Sequence, residues 1–559
     1  MEYLVLALTI FAFIVIIMLK GLYDEKKRKK KFILWLREHY GELPERGTYK
    51  PEELEKISHY FRAHETEGFH IDDITWNDLN MDSIFVQMNY TYSAAGEEYL
   101  YYLLRTPMQE SSAAVQMEEH IGFFMEHTEE RIQYQTLLAS MGKTGKYSIY
   151  DYLNYLDSLG ERNNKMHYLF NGLILVSILL LFVSPPLGVM MLLICLCRNI
   201  VSYFKEKNDI DPYITSFGYI LRLINSTEKI TRLPAGVFPE QLEELKECRK
   251  KLDKFKSGSY IIMSSSRMNA SGNPLDLLFD YLRMTLHLDL IKFNQMLKEV
   301  RKNIAVIDRM LTITGYMETV IAIGAYRTAM GTFCIPEFDG GKLSITNMYH
   351  PLIEHPVKNS ISTEKGVLLT GSNASGKSTF LKTVALNAIL AQTIHTCPAD
   401  RYQGGLYRIQ SSMTLRDDLC GGDSYYIVEI KSLKRILNEV EQPGNPVLCF
   451  VDEVLRGTNT VERIAASTQI LKSLSEKNVL CFAATHDIEL THLLEPFYYN
   501  YHFEEEIADK DVVFNYCLRK GRATTRNAIK LLGVMGFNED IIEDAERLAS
   551  HFSESGTWT

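Results

Sequence analysis

Residues 371–379 read Gly-Ser-Asn-Ala-Ser-Gly-Lys-Ser-Thr and fit the pattern G-x-x-x-x-G-K-[ST] of a phosphate-binding loop. The preceding run, Val367–Thr370, is apolar and typical of a buried parallel strand. The following run, Phe380–Ile394, has helical periodicity without Gly or Pro. A strand, a glycine loop and a helix in this order surround a polyphosphate with backbone N–H groups and a helix N-terminus. The stretch therefore predicts a nucleoside triphosphate site in an α/β domain.

A second apolar run, Val447–Val451, ends in two acids, Asp452 and Glu453, which is the Walker B arrangement. Asp452 and the hydroxyl of Ser378 are predicted to hold Mg²⁺, because this ion prefers oxygen ligands. Glu453 is placed to orient or deprotonate the attacking water. Lys377 would offset charge on the β and γ phosphates. The two motifs together predict ATP hydrolysis.

A third apolar run, Val479–Ala484, is followed closely by His486. A histidine at the carboxyl end of a strand lies where α/β sheets bind ligands, so His486 is predicted to sense the γ-phosphate. Between the Walker elements, the turn Gly421-Gly422-Asp423-Ser424 offers N–H groups and a hydroxyl for a second phosphate contact. This is the order of ABC-type ATPases, in which the loop of one subunit completes the nucleotide site of the other.

The composition limits the functional classes. The net charge is −10 over 559 residues, so any contact with nucleic acid has to come from a local basic surface. The nine cysteines form no C-x-x-C pair, which predicts neither a zinc site nor a disulfide framework. Buried free thiols in a reducing compartment are the expectation.

The amino-terminal stretch Tyr3–Leu19 carries no charge over 17 residues, and as a helix it would extend roughly 26 Å. The basic cluster 26–31 follows it, whereas a cleavable signal peptide carries its positive charge before the apolar core. The positive-inside rule then places the amino end outside and the remainder inside. We therefore predict an uncleaved anchor in the cytoplasmic membrane, with the ATPase in the cytoplasm.

A second apolar zone, Tyr168–Ile200, is interrupted by Ser184-Pro185-Pro186. Two consecutive prolines are costly inside one helix, so two helices of about 15 residues joined by a tight turn are predicted. Basic residues flank both ends, which favours a transmembrane hairpin with both ends in the cytoplasm. The alternative is a buried helical hairpin in a soluble protein.

The Walker B region extends into a longer pattern. The run Asp452-Glu453-Val454-Leu455-Arg456-Gly457-Thr458-Asn459-Thr460 resembles the D-E-x-x-R-G-T-x-T run of the MutS mismatch-repair family. The other stretches that resemble this family in residues 345–550 are Asn373 of the glycine loop, Ala484-Thr485-His486, Arg416-Asp417-Asp418 with Ser424, Phe514-x-Tyr516-x-Leu518-x-x-Gly521, Asn527-Ala528-Ile529, His350-Pro351-Leu352 and Asn359. Upstream, Ser93-Ala94-Ala95-Gly96 and Leu103–Pro107 are similar to the start of the family's helical core.

The resemblance implies an α+α/β multidomain chain in which a helical core and lever region precede an ABC-type P-loop ATPase like MutS domain V. The predicted segments are an anchor with its basic flank (1–31), a helical linker (32–70), a core-like helical region (71–160), a transmembrane helical hairpin (165–205), a helical lever region (206–334) and the ATPase domain (335–559).

The resemblance also implies a homodimer with two composite sites and ATP and Mg²⁺ as ligands. No small-molecule substrate other than ATP is expected. The ATP-binding residues would be Gly371, Ser372, Asn373, Ala374, Ser375, Gly376, Lys377, Ser378 and Thr379, with Ser424 of the partner subunit in trans. Glu453, His486 and Lys377 would act in catalysis, and Ser378 and Asp452 would hold the metal ion.

Three departures from the family limit the functional prediction. The family's mismatch wedge is a Phe-x-Glu tripeptide in an amino-terminal domain, but only about 70 residues precede the core here. The tripeptides Phe124-Met125-Glu126 and Phe503-Glu504-Glu505 are expected to be chance matches. No DNA-clamp insertion is evident. Pro356-Val357 stands before Asn359, where the family has an aromatic residue that stacks on adenine.

Three functions are compatible with these features. The first is a membrane-tethered MutS-type ATPase that binds mismatched, damaged or branched DNA under nucleotide control. The alternative is a membrane-anchored ATPase of the same fold that acts on a protein, RNA or ribosome partner. An ABC transporter subunit is disfavoured, because the loop ending in Ser424 is of MutS type and about three short spans make a poor transport pathway.

Overall fold

The computed structural model describes residues 2–44, 49–65, 68–145, 147–234, 236–259, 262, 281–372, 375–413, 425–455, 458–508, 511–523, 529, 532, 536–555 and 557–558. Helices dominate as far as residue 330, and strands alternate with helices from residue 337 onward. This division agrees with the predicted mixture of helical and α/β parts.

The amino-terminal part consists of helices with a short 3₁₀ turn at Leu156–Leu159 and a helical segment at 281–286. The numbered helices are α1 (Glu2–Glu38), α2 (Pro51–Ala63), α3 (Asp73–Asp78), α4 (Met81–Met88), α5 (Ala94–Arg105), α6 (Ser112–Glu126), α7 (Thr128–Ala139), α8 (Ile149–Tyr155), α9 (Lys165–Leu180), α10 (Pro185–Ile230), α11 (Pro239–Lys251), α12 (Asp253–Lys256), α13 (Leu288–Lys302) and α14 (Ile304–Met330).

Helix α14 is the central buried helix of this part and packs against α5 and α6. Gly315 permits close packing, because a Cβ atom there would lie 2.6 Å from the Ala95 carbonyl oxygen. The buried Glu318 accepts hydrogen bonds from the backbone N–H groups of Tyr92 (2.7 Å) and Ser93 (3.2 Å). Ser93 in turn caps α5 through Gly96 N–H (3.0 Å). The Ser93–Gly96 stretch thus forms the start of α5 and packs against the central helix α14.

Helices α9 and α10 form an antiparallel pair joined by a turn at residues 181–184, as the proline pair predicts. We call residues 165–198 the apolar hairpin. The first arm has 16 residues, close to the predicted length, but α10 continues for 46 residues into the core. Within the described residues, Pro185–Asp211 is the stretch long and apolar enough to cross a membrane. An 18-residue window of this stretch has a mean hydropathy of 1.9, and 22% of the window is buried.

Helix α1 contains the predicted anchor Tyr3–Leu19. The side chains of residues 2–18 lie outside the described part of the structure, so the anchor stays a prediction. The carboxyl end of α1 is held on the helical core, where Arg37 pairs with Glu129 of α7 and Trp35 meets Tyr92 edge-on at a centroid distance of 6.2 Å.

The carboxy-terminal part contains a six-stranded mixed sheet, a four-stranded sheet and a two-stranded hairpin. The strands are β1 (Glu337–Phe338), β2 (Leu343–Met348), β3 (Asn359–Thr363), β4 (Gly366–Thr370), β5 (Arg401–Gly404), β6 (Arg408–Ser412), β7 (Val447–Asp452), β8 (Val479–Ala484), β9 (Tyr498–His502), β10 (Glu505–Ala508), β11 (Asp511–Phe514) and β12 (Arg519–Lys520). The helices are α15 (Lys377–Ile394), α16 (Tyr425–Val440), α17 (Thr460–Ser475), α18 (Ile488–Leu493) and α19 (Glu539–Ser555).

The six-stranded sheet has the order β12-β9-β4-β8-β7-β6, and all neighbours except the β12–β9 pair run parallel. Strand β8 lies between β4 and β7, with Leu369 opposite Ala484 and Ala484 opposite Asp452. The carboxyl ends of these three strands therefore meet at one edge. This register brings together the three predicted motifs, which are spread over more than a hundred residues of the chain.

Candidate nucleotide-binding site

The glycine loop runs from β4 into α15. Gly376 caps this helix with φ of +105° and Gly371 has φ of +144°, both in the backbone region that glycine adopts without strain. The Lys377 ammonium donates hydrogen bonds to the carbonyl oxygens of Gly371 (2.8 Å) and Ser372 (2.7 Å). In this arrangement the lysine closes over its own loop, and it has to exchange these bonds for phosphate oxygens when a nucleotide binds.

The Ser378 hydroxyl, in the first turn of α15, donates to Asp452 Oδ2 at 2.5 Å. This contact joins the glycine loop to the end of β7 and places two oxygen ligands side by side. A hydroxyl and a carboxylate fit Mg²⁺, which takes few protein ligands and completes its shell with water and phosphate. Among the described residues there is no group of three or more His, Cys, Asp or Glu side chains that could hold a metal ion.

Glu453 follows β7 in a left-handed conformation with φ of +58°, and Leu455 has φ of +61°. Both are non-glycine residues, so their backbone is strained, which is common at functional sites. Two contacts hold the strained turn. Glu453 N–H donates to the Ala484 carbonyl oxygen at 2.9 Å, and Leu455 N–H donates to the buried carboxylate of Glu429 in α16.

The Glu453 carboxylate lies 2.6 Å from His486 Nε2. About a quarter of the Glu453 side chain is exposed, and it lines the same cavity as the glycine loop. His486 follows β8, whose end is fixed by the hydrogen bond from Thr485 N–H to the Leu369 carbonyl oxygen (2.9 Å). The Glu453 carboxylate thus faces the loop, and the His486 imidazole contacts this carboxylate at the sheet edge.

A cavity of about 490 Å³ opens in front of the glycine loop, large enough for a nucleotide-sized ligand. It is lined by Met348, His350, Ile353, His355, Pro356, Val357, Asn359, Ser372, Ser375, Gly376, Lys377, Ser378, Thr379, Phe380, Thr383, Glu453, Phe503 and Tyr516. Burial lowers the pKa of His350 to about 4, and the charge of Lys382 acts in the same direction. His350 is therefore neutral at pH 7. Its Nδ1 accepts from Leu352 N–H (3.3 Å), which leaves the proton on Nε2.

Tyr516 supplies the aromatic ring that the sequence did not predict near Asn359. Its ring lies against the glycine loop, 3.1 Å from where a Cβ atom of Gly376 would be. Asn359 holds this segment, donating from Nδ2 to the Tyr516 carbonyl oxygen (2.9 Å) and accepting from Leu518 N–H (2.7 Å). Phe514 stacks on the Tyr516 ring at a centroid distance of 6.0 Å. The signal was present in the Phe514-x-Tyr516 pattern, but nothing in the sequence showed that this pattern folds over the loop.

Several predicted residues lie outside the described residues: Asn373, Ala374, Arg416-Asp417-Asp418, Gly421–Ser424, Arg456, Gly457, Asn527 and Ala528. The proposed role of Ser424 in trans therefore stays a prediction. The end of β6, which precedes Ser424 in the chain, is held by Asp78 of α3, which accepts from the Ser411 hydroxyl (2.7 Å) and from Met413 N–H (2.9 Å). The helical part thus holds the end of β6 directly.

A family model for MutS domain V matches residues 367–553. The chain is 32% identical over 220 residues to the DNA mismatch repair protein MutS of Thermus thermophilus, covering 38% of this chain and 27% of that protein. It is 28% identical over 276 residues to the protein of the same name from Thermotoga maritima, covering 48% and 33%. The protein of that name from Natronomonas pharaonis is 30% identical over 238 residues, covering 40% and 27%. The chain spans about a quarter to a third of the length of these relatives.

Proposed function

The chain belongs to the MutS family through residues 367–553, and we propose on that premise that it is an ATP-switched, DNA-binding dimer tethered to a membrane. The relatives are named for DNA mismatch repair. For this chain, the ligand is mismatched, damaged or branched DNA, bound under the control of ATP. The observation that carries the proposal is the arrangement of the Ser378–Asp452 and Glu453–His486 pairs, in which Ser378 and Glu453 line the glycine-loop cavity.

ATP hydrolysis follows from the roles that these positions allow. Ser378 and Asp452 would hold Mg²⁺, which when bound neutralises charge on the phosphate oxygens. Glu453 accepts a hydrogen bond from the attacking water and takes its proton, while His486 orients the carboxylate through their 2.6 Å contact. Lys377 moves from the loop carbonyl groups to the β and γ phosphates, because their charge is a stronger acceptor than a neutral carbonyl oxygen.

The dimer completes each site. In this proposal Ser424 of the partner subunit contacts the γ-phosphate, so ATP holds two subunits together and hydrolysis releases them. Because α3 of the helical part holds the end of β6 through Asp78, the strand that precedes Ser424 in the chain is tied to the helical part. DNA bound by the helical part can therefore influence hydrolysis at the ATPase.

Tyr516→Ala is expected to weaken ATP binding by roughly tenfold, since stacking of a base on an aromatic ring contributes about 1–3 kcal/mol. Tyr516→Phe keeps the ring and is the matched control, with an expected change in Kd below about threefold. Titration of a fluorescent ATP analogue measures both variants. Equal affinities for Tyr516→Ala and the wild type would show that the adenine ring does not lie on Tyr516.

Salt dependence tests the proposed ligand. The full chain in detergent is titrated with homoduplex, mismatched and branched DNA of equal length, with and without ATP. We expect tighter binding of mismatched or branched DNA, and an affinity that falls at least about tenfold between 50 and 200 mM salt as counterions are released. An absence of salt-sensitive DNA affinity above background would exclude this ligand.

The alternative partner is a protein or an RNA. The net charge of −10 favours a protein among these, because the chain as a whole repels any nucleic acid. The same titration with a structured RNA separates these outcomes from DNA binding. In either case the ATPase is the same.

The tether is proposed to consist of the amino-terminal stretch Tyr3–Leu19 together with the apolar hairpin, with the ATPase in the cytoplasm. The supporting observation is the exposure of large apolar side chains on the hairpin. Cofloatation of the full chain with lipid vesicles tests this tether independently of nucleotide or DNA binding.

A further inference from the structure

The apolar hairpin projects from the helical core with its apolar side chains uncovered on both arms. Phe182 and Val183 at the turn are 86% and 82% exposed. The other large apolar side chains exposed on the hairpin are Met166, Tyr168, Leu169, Leu175, Val176, Ile178, Leu179, Leu187, Val189, Met190, Leu193 and Ile194. No Asp, Glu, Lys or Arg occurs between Lys165 and Arg198. A surface that is apolar on all sides of a projection, rather than on one face, fits an apolar solvent.

The turn pairs its backbone N–H groups within the chain. The N–H groups of Leu181, Phe182, Val183 and Ser184 all donate to carbonyl oxygens of the preceding helix turn, at 2.8 to 3.2 Å. The next two residues are Pro185 and Pro186, which carry no N–H group. Paired N–H groups suit a turn that lies in lipid, where each unpaired backbone group costs several kcal/mol.

A polar collar marks the base of the hairpin, and we define it as Asn171, Asn199, His167 and His287. Asn171 and Asn199 donate to the carbonyl oxygens of Leu286 and Thr285, each at 2.8 Å. His287 contacts the Asn199 carbonyl oxygen and His167 Nδ1, also at 2.8 Å. Arg198, beside the collar, lies over the Phe170 ring at 3.5 Å. The collar and Arg198 together therefore place polar groups and a cation at the level where lipid headgroups would lie.

The length of the arms decides how far the hairpin enters. A rise of about 1.5 Å per residue puts Phe182 about 17 Å beyond Asn171, and Pro185 about 21 Å beyond Asn199. The hydrocarbon core of a bilayer is about 30 Å thick, and each headgroup layer adds about 5–7 Å. With the collar at the headgroup surface, the turn reaches roughly 10–16 Å into the hydrocarbon, which is close to the midplane.

We propose that the apolar hairpin enters one leaflet of a bilayer and ends near its midplane without crossing it. This replaces the transmembrane hairpin expected from the sequence, and it rests on the membrane tether of the proposed function. The uncharged turn agrees with an end in hydrocarbon, since a crossing turn would need polar residues on the far side. Helix α10 then continues from the leaflet into the helical core, where Tyr219 accepts a hydrogen bond from Ala95 N–H of α5 at 3.1 Å.

Depth-dependent quenching of tryptophan fluorescence tests the inference. Phe182→Trp at the turn and Leu175→Trp within the first arm are introduced into the full chain, and the signal of the three native tryptophans is subtracted. Both positions are exposed, so the larger ring is accommodated. Val115→Trp on α6, a position that is 72% exposed, is the control outside the hairpin. Each protein is reconstituted into vesicles of phosphatidylcholine and phosphatidylglycerol with a spin label at the headgroup or near the acyl-chain end.

We expect Phe182→Trp to lose more fluorescence to the deep label and Leu175→Trp to lose more to the headgroup label, with no loss for Val115→Trp. The reverse order would show a hairpin that crosses the bilayer, because the middle of the arm would then be deepest. A variant with tryptophan at position 182 that cofloats with vesicles but shows no quenching would overturn the inference and would leave the tether intact. This is the result expected if a second copy of the chain covers the hairpin. A protein that does not cofloat would contradict both.

Discussion

Glu453→Gln is expected to lower the rate of ATP hydrolysis by roughly 100-fold or more and to leave ATP binding nearly unchanged, since the loss of a general base costs about 10²–10⁴ in rate. Glutamine has the same shape and can still accept from His486, so the 2.6 Å contact survives in altered form. It cannot take a proton from water. Phosphate release and ATP-analogue binding, measured on the same sample, separate hydrolysis from affinity.

The variant should also remain dimeric in ATP, because a nucleotide that binds without being hydrolysed keeps the composite sites closed. Analytical ultracentrifugation with ATP and with ADP measures this change. Glu462→Gln is the matched control: it makes the same substitution on α17, outside the cavity. Normal hydrolysis by Glu453→Gln would mean that another group activates the water. A monomer in ATP would contradict the composite site while leaving the catalytic role of Glu453 intact.

The sequence alone predicted the strands of the nucleotide-binding site closely, because the residue pattern that indicates each strand lies within the strand itself. An apolar run before the glycine loop predicted Val367–Thr370, and the strand is Gly366–Thr370. The run ending in the two acids predicted β7, and Val479–Ala484 predicted β8 without error. Each of these strands is buried on both faces of a parallel sheet, so it is written as a continuous apolar run rather than as an alternation.

The partners of these elements could not be predicted, because they depend on contacts between distant residues. Nothing local to Asp78 indicates that it binds Ser411 and Met413, more than 300 residues away. Likewise, Glu429 is an ordinary acidic residue of an amphipathic helix until the fold places its carboxylate on Leu455 N–H. Buried polar contacts of this kind are decided by which chain segments meet.

In the second arm of the hairpin, tertiary packing outweighs the local preference of the sequence. The sequence predicted about 15 residues, and Pro212 would ordinarily end or kink a helix. Helix α10 nevertheless runs from Pro185 to Ile230. Its later part is buried, with Phe217, Tyr219 and Ile224 each at most 1% exposed. Burial of these large side chains, at about 1.5–3 kcal/mol each, outweighs the local preference at the proline.

A second large effect, on the free energy of unfolding, is expected at the contact between α14 and the ATPase part of the chain. Arg327, 2% exposed, donates to both oxygens of Glu118 at 2.7 Å. It also donates to Thr396 Oγ1 and to the His395 carbonyl oxygen, both at 2.8 Å. These last two residues follow α15, whose other end is the glycine loop. The arginine therefore fastens the central helix to the far end of the helix that holds the phosphate loop.

Burial opposes ionisation of Glu118, but the hydrogen bonds from Arg327 and His395 and their charges outweigh it and lower the pKa of Glu118 to about 2. Its ordinary value is 4.5, so the folded state favours the ionised form. The resulting stabilisation is complete above about pH 5 and is lost as the pH falls toward about 2. The pH dependence of unfolding in acid should therefore include a contribution from Glu118, and replacement of Arg327 should remove most of that contribution.

Arg327→Met is expected to lower the free energy of unfolding by about 3–5 kcal/mol, because it leaves the Glu118 carboxylate without its main partner in a half-buried site. Arg309 on the same helix is the matched control. It forms an equally bidentate pair with Glu244 (2.6 and 2.8 Å), but the two side chains are 51% and 39% exposed. Arg309→Met should cost less than about 1 kcal/mol, as exposed pairs do.

Urea unfolding of the two variants, followed by far-ultraviolet circular dichroism at pH 7 and at pH 4, measures both expectations. At pH 7 the difference between the variants reports the burial of the Arg327–Glu118 pair together with the two further hydrogen bonds that Arg327 donates to Thr396 and His395. At pH 4 the loss for Arg327→Met should shrink, because protonation of Glu118 removes the unpaired charge that the substitution creates. Adding Glu118→Leu to Arg327→Met should recover part of the stability at pH 7 for the same reason. Equal losses for the Arg327 and Arg309 variants at pH 7 would mean that the junction is held by its apolar contacts and that the buried ion pair contributes nothing of its own.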